Sequence, residues 1–576
     1  MSTGDVKVQG AVHSLEQGRM AILIKGGMCV AVLIVISLLY LFVQFRGLNS
    51  STAMDQAQIA RNIASGEGFT TEYIRPLAIG RLKAAGKADE AIDAGKFPDF
   101  YQSPLWPAIN SLSLLTIKGS WQMTREDILY AGDRMIAFVA VVFFLLSVVV
   151  FYFVFSRLFD KTLALYASAA VLLTDILWQF SLSGLPQMLL LFLFGVACLL
   201  TLLAEEAQEN DAFIPTVGLL VGTGLVFGLM MLTHGLAFWV FLGWLAYTGF
   251  VFRPRGVMCL AAVAAALIVV SPWLVRNFQV CGNPLGISYM AMFYDTPPEQ
   301  GFLRNTDAPG MNNPLGLFRR GSIRQLDVLF SYFGLNIAAG AFFLAAFHRF
   351  RNPRTSAFRW GLLLMWLMAF IGMAFFRVEG AVSSNQIHII FLPLFACYGF
   401  AFLMVMWSRW ELGQGLLRTI FIGLIIFLCS VPLLMTLFAG SSGRVQWPPY
   451  IPPFIGILGE WFEKEEIIAS DMPWAVAWYA QRSSLLLPES VREFNRMHDY
   501  QDFKQPIRGL YLTPMTGNQP LFSGIYKGSY KEWALLITRP PQIKGFPLPA
   551  FMPLPIDGEC IIFADRDRWS KPRTTE

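Results

Sequence analysis

Residues 27–45 read GMCVAVLIVISLLYLFVQF, a run without a charged side chain, and residues 50–69 just beyond it read SSTAMDQAQIARNIASGEGF. At 1.5 Å per residue the first run is long enough to cross a hydrocarbon core of about 30 Å. The second is polar, opens a long loop and carries a carboxylate, Asp55, about ten residues past the end of the span. That carboxylate stands where lipid gives way to water.

The whole chain matches its opening. It has 576 residues, of which 55% are hydrophobic and 14% charged, with a mean hydropathy of +0.52. A soluble domain carries about 25% charged residues. So much apolar surface needs a bilayer to cover it, and the expected class is an α-helical polytopic membrane protein. The run at 27–45 follows a polar stretch and is long enough to span, so it reads as a retained helix and not a cleaved signal. Further runs lie at 134–155, 162–179, 185–204, 213–232, 235–251, 257–275, 326–347, 358–376, 386–407 and 415–438. They bring the expected count to about eleven transmembrane helices, with only LTHG separating the pair at 213–251.

Charge placement orients them. With residues 1–26 cytoplasmic, the inner links are SRLFDK, FRPRG, HRFRNPRTSAFR and SRWELGQ, rich in Arg and Lys. The exception is EEAQEND, and acids contribute little to topology. The outer links LTHG and SLSGLP carry no Lys or Arg. An odd number of spans then puts the C-terminus outside, with three long outer segments at 46–133, 276–325 and 440–576. In a bacterial cell, outside means the periplasm or the exterior. The membrane module is 27–439. The tail, 440–576, starts with the Pro-rich QWPPYIPPF and then alternates short apolar strands with helical patterns, which predicts a small α/β domain with a partly parallel sheet.

A net charge of +5 spread along the chain does not point to nucleic acid. The chain has no Walker motif, no HExxH and no GxSxG. Cys29, Cys198, Cys259, Cys397 and Cys429 fall in apolar segments and read as small core residues. Cys281 and Cys560 lie in loop and tail, where a disulfide between them is one reading and two thiols the other.

Chemistry concentrates in the outer loops. Apolar or small residues at 57, 59, 60, 63 and 64 predict a short amphipathic helix on the membrane after Asp55, ended by Gly66 and Gly68. Asp55 is either the cap of that helix or a functional carboxylate. In FPDFYQSPLWPAINSL (97–112), Pro104 and Pro107 bracket Trp106; the loop is an interfacial aromatic anchor, or it presents Asp99, Tyr101 and Gln102 towards Asp55. In SPWLVRNFQVCGNPLGIS (271–288), Arg276 and Asn277 stand at the outer membrane edge, where the arginine either snorkels to headgroups or binds a phosphate. FFRVEGAVSSNQIHII (375–390) adds Arg377, Glu379, Gln386 and His388, the last two polar groups at the start of a span.

Five of these stretches carry a resemblance. MDQAQIARNIASGEGF, YQSPLWPAI, SGLPQMLLLFLFGVACLL, SPWLVRNFQVCGNPLG and MPWAVAWYAQRSSLLLP together resemble the GT-C superfamily of integral-membrane glycosyltransferases, in particular the branch of protein O-mannosyltransferases and the aminoarabinose transferase of lipid A. SPWLVRNFQVCGNPLG is the most specific of them. The chain departs from the family pattern at Ile59, where a tyrosine is common, at His234, where an arginine is frequent, at Gln386-Ile387 in place of Arg-Tyr, and at Gln187 in place of a carboxylate.

The resemblance implies a GT-C fold and transfer of a sugar from a polyprenyl-phosphate donor to a lipid, glycan or protein acceptor on the outer face. It implies Asp55 as general base, Arg276 first and Arg377 second as ligands of the donor phosphate, and Asp99 as an acid that binds acceptor or helps hold a metal. Tyr101, Gln102, Asn277, Glu379, Gln386 and His388 are the further substrate-binding candidates. It implies no fixed cofactor and leaves a divalent metal open. A secondary transporter or flippase for a lipid-linked sugar would be a different class, disfavoured by the large outer segments, the missing inverted repeat and the scarcity of ionisable groups in mid-span. A non-catalytic scaffold subunit is the third reading.

Overall fold

The computed structural model describes residues 31, 33–123, 129–376, 380–410, 415–438, 452–501, 503, 506–513, 516, 526–538, 546–553 and 560–570. Each of the eleven apolar runs coincides with a helix or a helix pair. The first is α1, Leu33–Gln44. The linker 46–133 then holds α2 (Ser51–Ser65), β1 (Thr70–Thr71), β2 (Tyr73–Ile74), α3 (Pro76–Ala84), α4 (Ala88–Ala94), β3 (Phe97–Pro98) and α5 (Leu105–Leu115). The helical body follows as α6 (Ala131–Leu158), α7 (Lys161–Leu172), α8 (Asp175–Leu182), α9 (Gln187–Glu209), α10 (Phe213–Thr233), α11 (Ala237–Val251) and α12 (Arg255–Cys281). After the linker 276–325 come α13 (Pro314–Leu329), α14 (Ile337–Ala345), α15 (Pro353–Ala374), α16 (Leu392–Arg409) and α17 (Leu416–Phe438).

Among the described residues, seven single helices are long and apolar enough to cross a membrane: α6, α9, α10, α12, α15, α16 and α17. Two bent helix pairs pass the same test together, α7 with α8 at 55° and Pro314–Gly334 with α14 at 114°, each a broken span or a re-entrant loop. The two remaining runs fall on the shorter apolar helices α1 and α11. Apolar side chains such as Leu260, Ile268 and Val275 on α12 face outward, which only a lipid surround makes stable.

The breaks are built, not frayed. Asn336 precedes α14 and caps it, accepting from the Ala339 N–H at 3.0 Å. Its amide donates at 2.8 Å to Thr174 Oγ1, which lies between α7 and α8. The two bent pairs therefore meet at their breaks, where exposed backbone groups would be costly in lipid. Close helix approach also depends on glycine: a Cβ on Gly399 of α16 would collide with the Ala338 carbonyl of α14.

The linkers sort to two ends of the body. At one end Arg157 pairs with Glu206 at 2.6 Å, Arg354 pairs with Glu206 at 3.2 Å and also with Glu209, and Arg253 N–H donates to Gln208 Oε1 at 3.0 Å. The acidic link EEAQEND, the exception in the charge pattern, is thus matched by the basic links beside it. At the other end the linkers 46–133 and 276–325 meet the C-terminal segment.

That segment contains α18 (Pro452–Trp461), β4 (Ile467–Ser470), β5 (Ser484–Leu486), β6 (Ile507–Leu512), β7 (Ala550–Pro553) and β8 (Ile561–Ala564). The sheet order is β2-β5-β4-β6-β8-β7, parallel from β2 to β6 and antiparallel at β8 and β7. Strand β4 is buried along its whole length, as a strand covered on both faces should be. The sheet is not confined to the tail: its edge strand β2 comes from the linker 46–133, with Tyr73 and Ile74 opposite Ser484 and Leu485. Cys281 and Cys560 are not joined to each other, so the disulfide reading is corrected; each is buried, Cys281 against Asn277 and Asn283, Cys560 against Tyr511.

Candidate active site

Helix α2 begins at Ser51 behind Ser50, so Asp55 sits in its second turn and is not its cap. The helix ends where Gly66 adopts φ +82°, a conformation that suits a residue without Cβ. Residues Ala53–Asn62 are all buried. α2 is therefore a core helix and not one laid on a surface. Its apolar side packs on α5, and its other side is covered by the C-terminal segment around Pro473–Ala480.

With capping removed, the Asp55 carboxylate has other partners. Oδ1 accepts from Gln58 Nε2 at 3.2 Å. Oδ2 accepts from Gln102 Nε2 at 2.5 Å and from the guanidinium of Arg75. The same guanidinium donates through its other terminal nitrogen to Asp99 Oδ1 at 2.8 Å. Asp99 Oδ2 in turn accepts the backbone N–H groups of Tyr101 and Gln102 at 3.2 and 2.8 Å, which fixes the turn that carries both side chains. Gln102 Oε1 accepts from Gln56 Nε2 at 3.0 Å. All three charged groups, Asp55, Arg75 and Asp99, are buried.

Burial pushes the Asp55 carboxyl up to about 6, against the downward pull of Arg75; the neighbouring Asp99 charge adds to the rise, and the Gln102 and Gln58 amides oppose it. Burial alone would lower Arg75, but the two carboxylates outweigh it and hold the guanidinium firmly protonated.

Gln102 links this cluster to open space. A cavity of about 710 Å³ is lined by Gln56, Tyr101 and Gln102, by Ser50–Thr52 at the start of α2, and by Glu299 and Gln300 of the second linker. His234, Trp239 and Ser383–Asn385 come from the helical body, and Trp474 and Tyr530 from the C-terminal segment. Asp55 lies one side chain behind the wall. Burial holds the His234 imidazole down to about 4, so it is neutral, and its Nδ1 accepts the Leu236 N–H at 3.2 Å. Among the described residues lining the cavity there is no Lys or Arg.

The structure thus brings Asp55, Asp99, Tyr101 and Gln102 together, and treats the other candidates differently. Arg276 donates to the Asp99 carbonyl and, at 3.1 Å, to the Phe69 carbonyl, with its guanidinium 4.7 Å from the Trp273 ring. It braces the turn that holds Asp99 and does not line the cavity. Asn277 is buried and closes the following turn, its Nδ2 donating to the Pro284 carbonyl at 3.4 Å. Gln386 and His388 belong to a separate buried network. Gln325 Oε1 receives Gln386 Nε2 at 3.2 Å and the His388 Nε2–H at 3.1 Å, while His388 Nδ1 accepts the Trp366 N–H at 3.1 Å. Arg377 and Glu379 lie outside the described residues.

Sequence reasoning missed Arg75, Gln58 and Glu299. Arg75 follows the two-residue strand β2 in YIRPL, where a lone arginine in an apolar setting is a weak signal.

The sequence left a divalent metal open. Among the described residues no group of three or more His, Cys, Asp or Glu side chains is placed to hold one. The two nearest carboxylates are already engaged by Arg75.

Comparison with known proteins adds the fold. The family of dolichyl-phosphate-mannose-protein mannosyltransferases matches residues 126–275, a stretch that begins after Asp55 and Asp99. No curated protein matches in sequence. Among solved structures, ArnT from Cupriavidus metallidurans in its apo state aligns with a TM-score of 0.57 at 13% identity, covering 95% of this chain and 100% of that one. The same protein bound to undecaprenyl phosphate gives 0.54 at 12%, covering 94% and 99%. The Archaeoglobus fulgidus oligosaccharyltransferase with Zn and sulfate gives 0.54 at 14%, covering 84% of this chain and 68% of that one.

Proposed function

We propose, because the chain has the fold of the GT-C superfamily, that it transfers a sugar from a polyprenyl-phosphate donor to a lipid, glycan or protein acceptor on the outer face of the membrane, with Asp55 as general base. The observation that carries this reading is the position of Asp55: a buried carboxylate one hydrogen bond behind a 710 Å³ cavity, assembled from two linkers, the helical body and the C-terminal segment. The binding of undecaprenyl phosphate by the ArnT neighbour supports a lipid-phosphate donor.

In this reaction the acceptor hydroxyl attacks the anomeric carbon. Its proton passes to Asp55, the bond from that carbon to the phosphate oxygen breaks, and the electron pair leaves on the polyprenyl phosphate. A carboxyl held near 6 is ionised at neutral pH and ready to take the proton. To reach it, the substrate hydroxyl takes the place of the Gln102 amide at Oδ2. Tyr101, Trp239, Trp474 and Tyr530 give the cavity aromatic faces on which a sugar ring can lie. For the donor phosphate, Arg276, the first candidate, acts through the loop it braces, and Arg377, the second, follows the cavity residue Phe376 in sequence.

The test compares wild type with Asp55→Asn on a panel of undecaprenyl-phosphate sugars, reading release of undecaprenyl phosphate by mass spectrometry. Thermal melting is the folding control. Loss of a base lowers turnover by roughly 10²–10⁴-fold. Equal release by both proteins removes Asp55 from the chemistry. No release by either on any donor favours the transporter or the scaffold.

A further inference from the structure

The feature with unexplained chemistry is Arg75. Two carboxylates that approach one point inside a protein normally share a proton or a cation. Here the point between them is filled by a side chain. Arg75 presents its two terminal nitrogens to two different acids, one to Asp55 and one to Asp99 at 2.8 Å. The Tyr73 and Tyr101 rings lie 4.0 and 4.6 Å from its central carbon, so the space around the fork is already occupied. Its Nε is buried without a partner. The guanidinium is thus aimed at the carboxylates at the expense of its own third donor, which a merely space-filling arginine would not be.

We infer that the Arg75 guanidinium stands in the place a divalent cation would take between Asp55 and Asp99, and is the positioning residue that holds Asp55 towards the cavity. This rests on the reading of Asp55 given above. The donor set agrees. Each acid gives one oxygen to Arg75; the other Asp55 oxygen is held by Gln58, and the other Asp99 oxygen by two backbone N–H groups. No third acidic, histidine or cysteine ligand completes a shell among the described residues. A metal would have to displace the arginine, and the planar fork already matches the separation of the two acids. Arg75 itself is held in register by β2, which ends one residue before it and pairs with β5.

The test uses Mn²⁺ alone on the purified full chain and needs no sugar donor, so it stands apart from the transferase reading. For wild type, the Mn²⁺ electron paramagnetic resonance spectrum should remain that of the free ion, and neither Mn²⁺ nor a chelator should move the melting temperature. Arg75→Ala uncovers the two acids. It should melt lower, recover in part with Mn²⁺, and bind one Mn²⁺ per chain, and Asp99→Asn added to it should abolish that binding. An arginine with a purely structural role would also lower the melting temperature, but Mn²⁺ would not restore it, and that result overturns the inference. So does one Mn²⁺ bound to wild type and lost in Asp99→Asn. If Arg75→Ala does not fold, the wild-type spectrum decides alone.

Discussion

Acidification should silence this protein through Asp55 in a way that unfolding cannot imitate. The carboxyl is held near 6 in the fold and has an ordinary value of 3.8. At pH 5 about one-tenth of it is ionised, so kcat/KM should fall about tenfold per pH unit below 6 and be level above. Stability runs the other way. The fold binds this proton more tightly than the unfolded chain does. The group therefore favours folding most below 3.8, and that advantage is lost as pH rises from 3.8 through 6. Holding it ionised at neutral pH costs the fold about 3 kcal/mol, from 1.36 kcal/mol per pH unit. Activity lost on acidification at constant or rising melting temperature is the signature. The assay is undecaprenyl phosphate release from a lipid-linked sugar between pH 5 and 8, with melting recorded at each pH. Gln102→Leu sharpens it: the Gln102 amide lowers the Asp55 value by donating to Oδ2, so its removal should move the acid limb to higher pH. A flat profile down to pH 5, or a limb unmoved in an active Gln102→Leu protein, refutes Asp55 as the titrating base.

Two further changes probe the scaffold. Asp133 is buried and accepts from Trp478 Nε1 at 2.7 Å, Tyr479 Oη at 2.8 Å and the Leu48 N–H at 3.4 Å. Asp133→Leu removes their shared acceptor, and a buried donor left unpaired costs about 1–3 kcal/mol. It should lower the melting temperature and open the C-terminal segment to protease, whereas an unchanged melt would mean that the anchor carries little. Gly399→Ala places a methyl group against the Ala338 carbonyl. Overpacking of this kind costs about 1–3 kcal/mol, read as a lower melting temperature without a change in the pH profile.

Hydropathy placed seven of the eleven runs on single helices long and apolar enough to cross a membrane, because the length of a lipid-crossing segment is written locally. It could not see the breaks. LYASAAVLLTDILWQF is apolar on both sides of Thr174, and the bend there is tied to Asn336, 162 residues away. The local pattern offered Asp55 as a candidate functional carboxylate, and the resemblance strengthened that reading. The local pattern favoured a helix cap, and that reading fails because Ser50 and Ser51 start the helix first. The amphipathic pattern of α2 was real, but its polar side faces Arg75, Gln102 and the tail instead of water. Arg75 was invisible because its partners lie 20 and 24 residues away, and its charge pairing shows only once the chain has folded back.

The C-terminal segment is part of the site and not an appendage to it. Helix α2, which carries Asp55, also carries Arg61. Its guanidinium donates to the carbonyls of Trp478 and Ala477, each at 2.7 Å. Trp474, just ahead of them, lines the cavity. Strand β2 is held in the sheet by β5, with the Ser484 N–H donating to the Glu72 carbonyl at 2.7 Å, and Arg75 follows that strand directly. The buried carboxylate and the cation beside it are therefore set from two directions by the same distant segment: Asp55 through the helix that Arg61 pins, and Arg75 through the strand that β5 pairs. Neither short element would hold its place alone. A two-residue strand has too few hydrogen bonds to be stable without a sheet to join, and a buried helix with charged groups on both faces needs partners on both. The pairing of β2 with β5 and the Arg61 contacts thus support the Asp55–Arg75 ion pair from both sides.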